Sequence, residues 1–200
     1  MSQDFEVESP IINSPFREPE FHWVIERGKP PIKAAGRRRA SYFYRVPEHA
    51  GHGRKNKAQQ SLEFEADKGQ EFELGLVNAI RPRVEHWRKG AYSAGLAYEG
   101  ASSVTKELLE LWRSEDRMQR LFFAQIEAVE TIIFLVEASE IYRKGMPEIP
   151  RDEPGLESKA AGFRAFVRYA CKMATGSGKT TVMGMLAAWS ILNSRGRAHG

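Results

Sequence analysis

The run Ala174-Thr175-Gly176-Ser177-Gly178-Lys179-Thr180 places two glycines, a lysine and a hydroxyl at the spacing that holds a polyphosphate. A polyphosphate is large and multiply negative, so a protein must bring many donors to it at once. Gly176 and Gly178 lack a Cβ, which lets the backbone turn tightly and aim successive N–H groups at one phosphate. A helix that begins at Lys179 adds the partial positive charge of its N-terminus. Lys179 would reach the β- and γ-phosphates and is the candidate catalytic residue. The Thr180 hydroxyl is the candidate metal ligand, for a Mg²⁺ that keeps most of its other ligands as water and phosphate oxygen. Thr175, Ser177 and Thr181 complete the expected cofactor-binding set around Gly176, Gly178, Lys179 and Thr180, and the expected cofactors are ATP and Mg²⁺. The strict phosphate-loop pattern also asks for glycine at position 173, where this chain has Met173.

A second chemical signal lies upstream. Apolar spacing predicts a helix from about Met118 to Tyr142, on which Gln125 shares a face with Leu121, Phe122, Ala128, Val129 and Ile132. An amide on an apolar face costs on the order of 1–3 kcal/mol unless it finds partners. One partner that suits it is adenine, whose N6 donates while N7 accepts. The alternative is a core glutamine bonded to backbone.

The remaining charge is unevenly spread. Residues 1–26 carry a net −5 and residues 27–57 a net +9, against +4 for the whole chain. The basic block includes Lys29, Lys33, Arg37, Arg38 and Arg39 beside Tyr42, Phe43 and Tyr44, a combination able to contact phosphates and stack on bases. It reads equally as a solvated loop or one that pairs with the acidic leader. Cys171 is the single cysteine, so no internal disulfide forms, and it is expected as a small core residue. The five histidines are scattered, with none at metal-ligand spacing. Trp87 and Trp112 are expected in the core, and Glu127 and Glu130 are expected to cap or to pair with Arg120. The acidic N-terminus resembles no secretory signal, and the apolar run Ile132 to Val136 is too short to cross a bilayer, so a cytoplasmic protein is expected.

The elements that must position these residues follow from turn residues and periodicity. Pro10, Pro15 and Pro19 mark an extended arm, and Phe21 to Glu26 reads as a strand that Pro31 to Ala35 pairs back on. Residues 47–60 read as a mobile loop. An amphipathic helix is expected from about Phe72 to Trp87, kinked or broken at Pro82, and a second around Val104–Trp112 with Ser102 or Ser103 as N-cap. A linker rich in Gly and Pro covers residues 145–155, and the stretch from Tyr169 to Met173 reads as the strand entering the glycine turn. The expected organisation is an arm, hairpin and basic loop over 1–60, a helical region over 61–117, and the beginning of an ATP-binding domain over 118–200.

Met173 to Thr180 resembles motif I of superfamily-two helicases, in which the first position varies and the G-x-G-K-T core is kept. Arg120 to Ala128 resembles the Q-motif of the same proteins, whose glutamine reads the adenine edge. Together with Pro10 to Phe16 and Phe21-His22-Trp23, the segments Arg120–Ile141 and Tyr169–Leu192 are similar to the ATPase (Res) subunits of type III-like restriction enzymes, a DEAD/DEAH-type group. That resemblance implies an α/β fold, the start of a RecA-like P-loop domain with an incomplete sheet, behind a mainly helical N-terminal region with a β-hairpin. It implies ATP-driven translocation on double-stranded DNA, a methyltransferase (Mod) partner and a C-terminal nuclease.

The chain departs from the family after Thr180, where no D-E-x-H box and no acidic residue follows, and Arg195, Arg197 and His199 are the only basic groups. It is therefore expected not to turn over ATP by itself. Two other readings stay open: a non-catalytic nucleic-acid-binding module that uses residues 27–57, and a P-loop ATPase with no nucleic-acid role.

Overall fold

A computed structural model describes residues 9–26, 28–44, 70–149 and 151–197. It is a mixed α/β structure of six helices and small antiparallel sheets. The strands are β1 (Phe21–Val24), β2 (Ile32–Ala35), β3 (Ser41–Tyr44), β4 (Gln70–Glu73), β5 (Arg151–Asp152) and β6 (Phe166–Val167). The helices are α1 (Gly75–Lys89), α2 (Ser103–Arg113), α3 (Phe123–Glu137), α4 (Glu140–Arg143), α5 (Leu156–Ala160) and α6 (Lys179–Arg197). Among them no helix is long and apolar enough to cross a membrane.

The sheets are three two-stranded antiparallel pairs, β1–β2, β3–β4 and β5–β6. The first is the expected hairpin, with Phe21 opposite Ala35 and Val24 opposite Ile32. The second was not foreseen: Tyr42 faces Phe72 across it, their rings stacked 5.4 Å apart, so a residue read as the start of a helix ends a strand instead. Aromatic pairs across strands stabilise a ladder by up to about 1 kcal/mol, enough to override a weak helical period at its end. The expected loop 47–60 lies outside the described residues.

Helix α3 is the centre of the core. Phe123, Ile126, Val129, Ile133, Phe134 and Leu135 are all buried, and a helix apolar on so many sides must be covered from several directions. Helices α1, α2 and α6 supply the cover. From α1 come Ile80, Val84 and Trp87, whose indole meets Phe134 edge-on at 5.6 Å and donates from Nε1 to the Glu99 carbonyl at 2.8 Å. From α2 come Leu109 and Trp112, and from α6 Val182 and Met185. The tryptophans expected in the core are there.

Three boundaries differ from the sequence reading. Helix α1 runs unbroken through Pro82, which sits on its exposed side, so the missing N–H costs a ladder bond without ending the helix. Helix α3 starts at Phe123 rather than Met118, because the Gln125 side chain takes the Phe122 N–H at 2.9 Å and Pro15 O takes the Phe123 N–H at 2.8 Å. It stops at Glu137, where Gly100 (φ +89°) passes so close that a Cβ there would lie 2.5 Å from the Glu137 carbonyl. The serine N-cap of α2 is as expected, with the Ser102 hydroxyl accepting from Thr105 N at 3.0 Å.

Residues 168–178 join no ladder, so the strand expected over Tyr169 to Met173 is not formed. A strand is held by bonds to a neighbour, and no described segment is laid beside this one. Phe166 and Val167 instead pair backwards onto Asp152 and Arg151.

Candidate nucleotide-binding site

The turn at 174–178 is organised around one carbonyl. Ala174 O accepts from Ser177 N at 3.3 Å, from Ser177 Oγ at 2.7 Å and from Lys179 Nζ at 3.0 Å. Met173 O lies 3.5 Å from the same ammonium. Gly176 (φ +80°) and Gly178 (φ +82°) take left-handed backbone that a side chain would strain, which is the geometric reason for the two glycines. Among the described residues, the N–H groups of Gly176, Gly178, Lys179 and Thr180 have no carbonyl or side-chain acceptor. Four free donors at the start of a helix are what an anion requires. Lys179, Thr175, Thr180 and Thr181 are exposed, so their polar ends are open to a ligand.

Helix α6 is fixed at both ends of its packed face. Near its start Val182 and Met185 enter the core. Further on, Trp189 Nε1 lies 3.0 Å from Thr105 Oγ1 on α2 and 2.9 Å from Glu137 Oε1 on α3, while Asn193 Nδ2 donates to Thr105 Oγ1 at 3.1 Å. A helix held by apolar burial and by a shared polar node has one seating, and its N-terminus therefore has one position.

Gln125 meets this turn directly. It is 6% exposed, and its Nε2 donates to Ser177 O at 3.2 Å while Oε1 accepts the Phe122 N–H. A Cβ built on Gly178 would collide with the same amide. Both partners of Gln125 are thus backbone groups, the alternative to a base contact, yet one of those groups belongs to the glycine turn. A carboxamide has two N–H donors and two oxygen lone pairs, so one of each remains uncommitted.

Sequence reasoning missed what lies behind Gln125. Asn13 pins the arm to β1, donating to Phe21 O at 2.8 Å and accepting from Glu20 N and Phe21 N at 3.0 Å. This sets the Phe16 ring 5.6 Å from Phe122, with the Arg120 guanidinium 5.0 Å over it. The available signal was Phe16 between Pro15 and Pro19, an aromatic in a segment too stiff to collapse on itself.

Two other expectations are corrected. Cys171 is exposed rather than a core residue, because the strand that would have buried it is not formed. Arg120 pairs with Glu115 at 3.1 Å and with neither Glu127 nor Glu130. Glu127 is gripped fork-to-fork by Arg37, and Glu130, fully buried, lies between Arg88 and Arg113. Tyr42, one of the rings beside the basic block, stacks on Phe72.

The basic segment, where described, is largely engaged. Arg38 lies 2.9 Å from Glu71, Arg39 2.8 Å from Glu73, and Lys29 2.6 Å from Glu26, while Lys33 sits over the Phe21 ring at 4.0 Å. Glu18 of the acidic leader approaches Arg37 to 3.6 Å. Arg27, Arg45, Arg54, Lys55 and Lys57 lie outside the described residues.

No family model, curated protein or solved structure matches the chain.

Proposed function

We infer that the chain binds ATP with Mg²⁺ on the loop 174–181, as the nucleotide-binding front part of a superfamily-two DNA helicase or translocase of the type III-like restriction group. One observation carries the reading. Gln125 and Ser177 lie fifty-two residues apart in the chain and are hydrogen-bonded to one another, so the two segments read independently as nucleotide contacts meet at one place. The unpaired amides of Gly176, Gly178, Lys179 and Thr180 supply the phosphate cradle. Lys179 leaves the Ala174 and Met173 carbonyls to neutralise the β- and γ-phosphates, and Thr180 offers its hydroxyl to Mg²⁺. The uncommitted N–H and lone pair of Gln125 match the N7 acceptor and N6 donor of adenine. Double-stranded DNA and a methyltransferase subunit belong to the same proposal through the resemblance of residues 120–141 and 169–192.

The nucleic-acid-module reading is the weaker one, since Arg37, Arg38 and Arg39 each have a carboxylate partner. Titration of a fluorescent ATP analogue in the presence of Mg²⁺ tests the proposal. Saturable binding that Lys179→Ala weakens by about tenfold or more supports it. Equal affinity of the two proteins, or no binding by either, overturns it.

A further inference from the structure

A cavity of about 260 Å³ opens between α1 and the segment joining β2 to β3, and no residue of the glycine loop lines it. Arg37, Arg38, Arg39 and Arg81 are among the residues that line it, and cations gathered on one surface must be met by carboxylates or by a ligand. Three of the four have a carboxylate: Arg37 on Glu127, Arg38 on Glu71 and Arg39 on Glu73. Arg81 has none among the described residues. Its hydrogen bond runs from Nη1 to the Arg38 carbonyl at 3.2 Å, a neutral acceptor that leaves the charge unanswered. Burial first, and then Arg37, weigh against the Arg81 charge, and Glu127 and Glu18 offset them only in part.

The other polar groups of the wall are already occupied. Glu85 is held by Lys89 at 2.5 Å, and Glu18 lies between Arg37 and Arg88 at 3.6 and 3.8 Å. Asn78 spends both ends of its amide on Ala40, accepting from its N–H at 2.7 Å and donating to its carbonyl at 3.1 Å. It is a strut that fixes the arginine segment against α1. Among the described residues, Arg81 is thus the lining arginine without a carboxylate, presented on α1.

We propose that this cavity is a phosphate-binding site, with Arg81 as the residue that meets the anion. The planar guanidinium fork matches two phosphate oxygens at once, which a lysine ammonium cannot do. The volume lies just under the ~300 Å³ at which whole small-molecule sites begin, which suits one phosphoryl group and its ester substituent. A phosphate in that position could belong to a nucleic-acid backbone or to a free phosphoanion.

The experiment uses the full chain carrying Gly178→Ala together with Lys179→Ala, so that the glycine loop does not contribute. Inorganic pyrophosphate, and separately a short single-stranded oligodeoxynucleotide, are titrated at low salt by calorimetry, with and without Arg81→Gln. The expected result is pyrophosphate binding that Arg81→Gln weakens by about tenfold or more, and that Arg81→Lys, which keeps the charge and loses the fork, weakens less. An oligonucleotide that binds and displaces pyrophosphate identifies a backbone phosphate. An oligonucleotide that does neither identifies a free phosphoanion. Absence of pyrophosphate binding, or equal affinity with and without Arg81→Gln, overturns the proposal, and matching circular-dichroism melts show that the variants are folded.

Discussion

Replacing Gln125 by alanine separates two roles of one side chain. The substitution removes the acceptor of the Phe122 N–H at the start of α3 and the donor to Ser177 O in the glycine turn. Each net hydrogen bond contributes about 0.5–1.5 kcal/mol, and the Phe122 bond also acts as half of a helix cap, worth typically about 1 kcal/mol. With Gln125 almost wholly buried, the vacated space adds a cavity cost, so a total loss of about 2–4 kcal/mol is expected in urea unfolding followed by circular dichroism. Gln125→Glu refines the test. Its carboxylate still accepts from Phe122 N–H but faces the Ser177 carbonyl with oxygen, so it keeps the cap and breaks the link to the turn. Nucleotide affinity then discriminates. If Gln125 only seats the turn, both variants weaken ATP and GTP analogues alike, by up to about tenfold for one lost bond. If its free N–H and lone pair also read adenine, ATP suffers more than GTP. An unfolding free energy for Gln125→Ala within about 0.5 kcal/mol of the parent would refute the reasoning, because it would mean that neither bond is made.

Glu130→Ala should be among the most destabilising substitutions, costing about 3–5 kcal/mol in the same unfolding assay, since it removes the buried carboxylate that Arg88 and Arg113 share. A cost under about 1 kcal/mol would show that both guanidiniums simply turn outward. Gly178→Ala should abolish analogue binding while leaving the thermal melt nearly unchanged, because φ +82° and the Gln125 amide leave no room for a Cβ and the exposed turn moves instead of the core. The Glu71 carboxyl, bonded first by Ser41 Oγ and then by Arg38, is held below its ordinary value. Its contribution to the β3–β4 pair is therefore present above the unfolded value and lost as pH falls through the lower folded one. NMR titration should show that value rising in Ser41→Ala, and an unchanged titration would remove the hydroxyl as the cause.

The parts legible in the sequence share a feature: each is encoded within a few neighbouring residues. The β1–β2 hairpin needed only two short strands and the turn Gly28-Lys29-Pro30, and the α2 cap only a serine before an apolar period. The glycine turn needed its two glycines and a following helix, and both glycines take a positive φ that makes the tight turn. What escaped depends on residues far apart. Nothing near Tyr42 announces Phe72 as its partner, and nothing near Glu127 announces Arg37, ninety residues earlier. The strand expected before the glycine turn failed for the same reason in reverse, since its composition suited a ladder and no described segment lies alongside to complete one.

The buried charges show why such pairings matter to the candidate site. Glu130 receives Arg88 Nη2 and Tyr98 OH, both at 2.7 Å, and Arg113 Nε at 2.7 Å, so α1, α2 and the 90–101 connection converge on one carboxylate of α3. Arg113 Nη2, 2.5 Å away, meets it as a charge rather than as an aligned donor. Burial, and then this carboxylate, push the Tyr98 phenol well above its ordinary range, which keeps it a donor at any physiological pH. One turn earlier on the same helix Glu127 anchors Arg37, and the guanidiniums of Arg37 and Arg88 lie 5.5 and 5.8 Å from the Phe123 ring. A buried ion pair adds little net stability compared with apolar packing, but a wrong register would leave a charge unpaired at a cost of several kcal/mol. The register so fixed is that of α3, whose first turn carries Gln125. The acidic residues of that helix therefore act on the glycine turn without touching it: they set where the helix begins and faces, and Gln125 transmits that setting to Ser177.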